Sequence, residues 1–419
     1  YRDGTFTYIG ATDGLSHTVN VLTGAGLTGA IPASVGGVLA VDPIIKSRFL
    51  DKTPGVGNST LQNGNLTQSL IFNQADNEKR NGFTTRFDVD VNEKHSFYFV
   101  YKYNDNADDR QSDGGGFLTN PFVVQGGPTD FYLGSYRTIL GSSFVNEARG
   151  AYSSSKPFFH QSDLFPTDYL IGGLPLGLSS PEPSFQDQGR NTKQYTIQDN
   201  ATYSNGQHTL RFGLEFNAQR IESITNFNKV PIYNISTTAN TQTPRLAASL
   251  FPGGIGTTDR GRADALRYLL GGIVGGGTVN ANFVNPSQGP VIGAPLTQRF
   301  QFNTWGLYAS DQWRITPELS VNFGLRWDYF TPLTNKDQVY LEPDLKGAND
   351  IEAVKKALLD PTGNYVLVGK NSGTNGAFFK PDYNNFGPNV SFAYSPREGK
   401  GCASRAASFS SATKSDSRD

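Results

Sequence analysis

Residues 318–330, ELSVNFGLRWDYF, alternate without a break. Leu319, Val321, Phe323, Leu325, Trp327 and Tyr329 share one parity, and Glu318, Ser320, Asn322, Gly324, Arg326 and Asp328 share the other. A period of two belongs to a β-strand with one apolar and one polar face. The same pattern recurs at Phe83, Thr85, Phe87, Val89 and Val91, opposite Thr84, Arg86, Asp88 and Asp90. It returns at Leu210, Phe212, Leu214 and Phe216, opposite Arg211, Gly213, Glu215 and Asn217. Weaker alternation marks residues 97–103, 131–140, 144–152, 195–203, 302–313 and 386–394. Residues 1–10 are expected to hold one more strand.

The connections sort into two kinds. Residues 92–94, 141–143, 205–207 and 315–317 are short and rich in Asn, Gly, Ser or Pro, as hairpin turns are. Residues 104–129, 153–191, 227–300 and 331–384 are long, and the two kinds alternate along the chain. Short turns on one side and long loops on the other are the asymmetry of a transmembrane barrel. The predicted fold is therefore all-β: an antiparallel up-and-down transmembrane β-barrel, partial at nine or ten strands, with long extracellular loops. A soluble sandwich alternates in the same way but packs its apolar face on a second sheet. Two features favour lipid: a polar face with Arg86, Asp88, Asp90, Arg211, Glu215, Arg326 and Asp328, and aromatics near the strand ends. Trp305 and Trp313 lie eight residues apart on one parity. At about 3.3 Å per residue and a tilt of about 40° they span roughly 20 Å, close to the apolar band of such barrels. Trp305, Trp313, Trp327 and Tyr329 are the expected membrane-interface girdle. Asp311 shares that parity and would face lipid beside a short turn.

Composition narrows the classes further. Among 419 residues, 36 Lys and Arg face 37 Asp and Glu, so no basic excess points to nucleic acid. Forty-seven Gly, 29 Phe and 19 Tyr suit strands and turns. No run of 18 apolar residues offers a transmembrane helix. One Cys removes a disulfide framework and any multi-cysteine metal site. The chain starts at Tyr1, has no Met and shows no signal peptide, so it reads as an interior piece of a longer protein.

The block WGLYASDQWRITPELSVNFGLRWDYFTP, residues 305–332, resembles a barrel hairpin of TonB-dependent outer-membrane receptors. More narrowly, it is similar to their Oar-like group, through Trp305, Tyr308, Asp311, Trp313, Thr316, Pro317, Gly324, Leu325, Arg326 and Trp327. RADALRYLLGG (262–272), NNFGPNVSFAYSP (384–396) and HTLRFGLEF (208–216) resemble further elements of that group. Extra residues separate Ala265 from Leu269, and Asn389 and Ser391 replace an Arg and a Gly of its pattern. The resemblance implies a 22-stranded barrel in the Gram-negative outer membrane, closed by a plug domain. It also implies energy supplied by the TonB–ExbB–ExbD system and a carboxypeptidase-regulatory-like domain ahead of the plug. Neither domain is visible in this sequence. On this reading residues 1–80 hold a barrel strand and a long loop, 81–396 hold the hairpins, and 397–419 form an aberrant or disordered tail. A frameshift or assembly artefact near Gly399 would explain the tail.

Chemistry-bearing constellations are sparse. Asp105, Asp108, Asp109 and Asp113 precede three glycines, a cluster suited to Ca²⁺ or to a solvated loop tip, with no EF-hand spacing. His17, His95, His160 and His208 pair with no other ligand at metal spacing. GGIVGGG (271–277) lacks the residues of a phosphate loop. Residues 259–270 read either as a short helix or as a strand entry. No nucleophile elbow is present, so the expectation is no enzyme, no cofactor and no metal. The function expected is uptake of a ligand through a plugged lumen, with outer-membrane lipid as a partner. The rivals are a passive porin or structural barrel and a soluble β-rich binding module. Loop aromatics such as Phe158, Phe159, Tyr340, Phe378 and Phe379 would stack on a ligand or pack the loops together.

Overall fold

The computed structural model describes residues 1–110, 117, 123–161, 168–182, 185–345, 347–348, 350–360, 363–395 and 405–410. Two short strands open the chain, β1 (Thr5–Ile9) and β2 (Ser16–Asn20), paired with each other. Long strands follow: β3 (Glu78–Asn92), β4 (His95–Arg110), β5 (Val123–Leu140) and β6 (Phe144–Ser155). After the short β7 (Phe158–Gln161) and β8 (Leu170–Gly172) come β9 (Gln188–Asn205) and β10 (His208–Thr225). A loop-side segment then holds β11 (Ile232–Ile235), the helix α1 (Thr257–Leu270) and β12 (Val274–Thr278). The remaining long strands are β13 (Leu296–Arg314), β14 (Leu319–Phe330), β15 (Phe386–Tyr394) and β16 (Arg405–Ser410).

A twelve-stranded antiparallel sheet holds ten of these strands in the order β3-β4-β5-β6-β9-β10-β13-β14-β15-β16, each beside its neighbour in the chain, with β7 against β5 and β9 and the short Thr334–Asn335 strand against β13. The sheet is a meander of hairpins, the arrangement expected of an up-and-down barrel wall. The strand expected within residues 1–10 exists as β1 but belongs to a separate pair, and the wall begins at Glu78. Of the tail, only the backbone of 405–410 is described, and it pairs with β15.

Register fixes the tilt. Asn92 pairs with His95 at the first short turn, and that row meets Thr138, two residues short of the Leu140–Phe144 pair at the second turn. Phe144 in turn meets Tyr203, two short of the Asn205–His208 pair at the third. A slip of two residues, about 6.6 Å, over two strand spacings, about 9.6 Å, tilts the strands by about 35°. That is the inclination of a closing barrel rather than of a flat sheet.

Several strands run beyond their expected limits, chiefly toward the long loops. Residues 195–203 grow to Gln188–Asn205 and 302–313 to Leu296–Arg314. The added turns of ladder carry polar residues on both faces, among them Lys193, Arg220, Glu222 and Arg299 on the apolar parity. Where both faces are wet, alternation vanishes while the backbone pairing continues, so periodicity could not mark these extensions.

Candidate functional site

The wall has two chemically distinct faces. Phe83, Phe87, Val89, Phe97, Phe99, Ile197, Leu210, Phe212, Leu214, Leu307, Phe323, Leu325, Val390 and Phe392 all stand exposed on one of them. A soluble protein would cover so wide an apolar surface. The registers bring Trp305 opposite Tyr329, Leu307 opposite Trp327, and Trp313 opposite Val321, so all four expected girdle residues share this face. Trp305 rests on Phe216 with ring centroids 4.2 Å apart, and Tyr329 stacks on Tyr383 at 4.6 Å.

A longer aromatic ladder escaped the sequence reading. Phe83 meets Tyr101 at 5.2 Å, Tyr101 meets Tyr132 at 4.6 Å, Tyr132 meets Tyr152 at 6.1 Å, and Tyr152 meets Tyr195 at 5.1 Å. These rings come from five consecutive wall strands and lie toward the loop ends. Toward the short turns, His95 stacks on Tyr136 and His208 on Trp313. The signal for the ladder was a Tyr on each strand, but only the register shows that the four tyrosines fall in one row.

The opposite face carries paired charge. Arg86 grips Asp88 through Nε at 2.8 Å and Nη2 at 2.6 Å, with its guanidinium 4.4 Å from the Tyr98 ring centre. Arg326 holds Asp328 at 2.8 Å and approaches Glu215 at 4.0 Å, and Arg149 pairs with Glu147 at 2.6 Å. Tyr308 donates its hydroxyl to Asn200 Oδ1 at 2.8 Å across the same face. Gly324 also lies here: a Cβ on it would come within 2.8 Å of the Ser310 Cβ, so the ladder closes only on glycine. Ion pairs at i and i+2 neutralise a wet surface without needing a partner from elsewhere.

At the loop ends, residues from distant parts of the chain share one core. Phe6, Val19, Val21, Leu22, Ile45 and Phe49 pack with Leu246, Phe251, Leu266 and Leu270. The region 259–270 is helical: Ala263, Leu266, Leu269 and Leu270 recur at helix spacing, Asp259 sits in the first turn, and Arg267 in the last. Arg267 is fully buried and donates to the carbonyls of Val21, Val35 and Gly37, each at 2.7 Å. Burial lowers the pKa of its guanidinium. Burial, reinforced by Asp264, pushes the Tyr268 hydroxyl up to about 12. Arg48 clamps Glu182 with Nε at 2.7 Å and Nη2 at 2.9 Å, tying the first segment to the loop after β6. The parallel pairing of Leu170 with Ile232 and the antiparallel edge strand β12 tie two loops together, and the GGIVGGG run enters that edge.

The remaining expected candidates are dispersed. His17 bonds Asp13 at 2.8 Å and His160 bonds Asp187 at 3.0 Å. Residues 104–110 of the Asp-rich run finish β4, where Asp109 accepts from Asn77, and residues 111–116 lie outside the described set. Among the described residues no three His, Cys, Asp or Glu gather around a metal-sized site. Tyr340 and Phe378 pack with Phe300, and Phe159 packs with Phe185 and Arg110, which favours the loop-packing role for these rings. Phe379 is left half exposed.

A tilted meander with an open apolar face, a wet face of paired charges and loops gathered at one end defines an outer-membrane β-barrel protein. Residues 1–407 match the outer membrane beta barrel domain family, and the chain belongs to that family. Its place is the Gram-negative outer membrane. A comparison with curated proteins gives no match. Among solved structures it is similar to the copper transporter OprC, at 9% identity and a TM-score of 0.39, covering 78% of this chain and 35% of that one. It is also similar to the ferripyoverdine receptor of the outer membrane of Pseudomonas aeruginosa, at 12% identity and TM-score 0.39, covering 77% and 34%. The ferric-catecholate import receptor Fiu from E. coli K12 gives 13% identity and TM-score 0.39, covering 78% and 46%. The chain thus spans between about a third and a half of the length of these structures.

Proposed function

We propose that this chain is part of the barrel wall of a TonB-dependent receptor of the Oar-like group, taking up a ligand through a plugged lumen. The observation that carries the reading is the hairpin of residues 305–332. Its motif aromatics Trp305, Trp313 and Trp327 lie on the outward face, while Tyr308, Gly324 and Arg326 lie on the charged one. On this reading the outward Trp305, Trp313, Trp327 and Tyr329 are the membrane-interface girdle, and the folded loop-side body faces the outside of the cell. The TonB–ExbB–ExbD system acts through a plug carried elsewhere in the polypeptide. The role is transport, with no catalytic chemistry on the wall.

The test is crosslinking of the natural gene product, in outer-membrane vesicles, to the periplasmic domain of TonB, together with its conductance in planar bilayers. A TonB crosslink with a closed lumen supports the receptor. Steady open conductance with no crosslink would replace it by a passive porin.

A further inference from the structure

Asp311 is an anomaly that the barrel does not explain. It points to the lipid side, between Leu210 and Phe323 in register, yet only 7% of it is exposed. His208 Nδ1 lies 2.6 Å from its Oδ2, with the His208 ring stacked on Trp313. Its Oδ1 is buried with no hydrogen-bond partner. A carboxylate oxygen sealed among apolar side chains and left unbonded is costly, and a donor that completes it is strongly favoured.

Beside it the outward face has a notch. Ala309 stands between Phe212 and Leu325 in the next row, a methyl group between two large side chains. The resulting groove of about 580 Å³ is bordered by Asp311, Phe323 and Val390. Asp311 lies three residues from Arg314, the last paired residue before the short turn. At about 3.3 Å per residue and a tilt of about 35–40° it sits some 8 Å above that turn and about 5 Å beneath the Trp313 row, just under the headgroups.

We propose that Asp311, His208 and the Ala309 groove form a binding site for a phospholipid with a primary ammonium headgroup in the periplasmic leaflet. The ammonium donates to the free carboxylate oxygen, and one acyl chain lies over Ala309. A primary ammonium has N–H donors for that oxygen, whereas a quaternary choline has none and a glycerol headgroup leaves the lipid anionic against an acid. The inference rests on the membrane placement of the wall and is independent of coupling to TonB.

The experiment is native mass spectrometry of the protein in mixed micelles with equal phosphatidylethanolamine, phosphatidylcholine and phosphatidylglycerol. The wild type is expected to retain phosphatidylethanolamine roughly tenfold over the other two, the yield of one charge-assisted hydrogen bond. Asp311→Asn should bind as much lipid without that preference, and Ala309→Phe should lose lipid of all three kinds. Equal retention of the three lipids by the wild type would overturn the site. So would an unchanged preference in Asp311→Asn, or full lipid retention by Ala309→Phe with unaltered strand content by circular dichroism.

Discussion

Phenylalanine and leucine behave oppositely in two regions of this molecule. On the wall, Phe212 and Leu325 are 45% and 48% exposed, while in the loop-side body Leu246 is sealed at 0% and Leu266 at 4%. The side chains are of one kind, so the difference lies in the solvent each region was built for. The body closes around its own core and is at home in water. The wall satisfies its backbone within the sheet and leaves its apolar surface to lipid. Each region should therefore fail for its own reason, and substitutions in one should leave the other standing.

The largest expected effect is at Arg267. Replacing it by Met keeps the bulk but leaves the carbonyls of Val21, Val35 and Gly37 without their shared donor. The loss should be on the order of 3–5 kcal/mol, since each buried carbonyl left without a donor costs about 1–3 kcal/mol. Hydrogen exchange in detergent should show residues 1–50 and α1 opening together, with the wall amides unchanged. Loss of protection in β9 and β10 as well would merge the two regions into one cooperative unit.

The next effect belongs to the wall. Phe212→Arg places a charge near the middle of the lipid face, where about 2–4 kcal/mol is expected, whereas Asn322→Arg enters the wet face and should cost far less. Reversible unfolding from lipid vesicles measures both. Equal costs would mean that the outward face is not in lipid. A smaller effect is expected along the tyrosine ladder: Tyr132→Ala removes contacts to both Tyr101 and Tyr152 and should cost roughly 0.5–1.5 kcal/mol. The same substitution at Tyr233, outside the ladder, tests whether the row matters or merely the ring.

The two regions were unequally legible in the sequence. The wall could be read because its signal is local: in residues 318–330 each side chain declares its face through its neighbour's polarity. The four aromatics expected at the girdle follow from parity alone, and the registers place them on one face. The body could not be read this way. Arg267 reaches Val21 across 246 positions, and Arg48 reaches Glu182 across 134. Its strands have three to five residues, too few to show a period, and its helix lies in a stretch that also resembled a strand entry. Asp311 sits between these cases: its outward parity was plain, but its burial and unbonded oxygen depend on Leu210, Phe323 and His208 from neighbouring strands.

The finest distinction between the regions is their response to pH. In the body, Asp264 accepts from the Leu246 N–H at 2.8 Å and from Arg245 Nε at 3.0 Å. Burial outweighs those bonds and raises its pKa above 3.8. An acid that binds its proton more tightly when folded stabilises the fold at low pH. That contribution is complete below 3.8 and is lost as pH climbs to the raised folded value. Asp3 and Asp13 act in the opposite sense, held below 3.8 chiefly by the backbone N–H groups of Thr5 and Leu15. Their contribution is present above 3.8 and fades as pH falls through their lowered values. Mild acidification from neutral should then tighten α1 slightly before Asp3 and Asp13 begin to loosen the first segment. Asp264→Asn cannot titrate, so the opening free energy of α1, followed by hydrogen exchange, should lose its slope in the window that starts at 3.8 and runs upward. An identical slope in the variant would show that the pH response of α1 comes from some group other than Asp264.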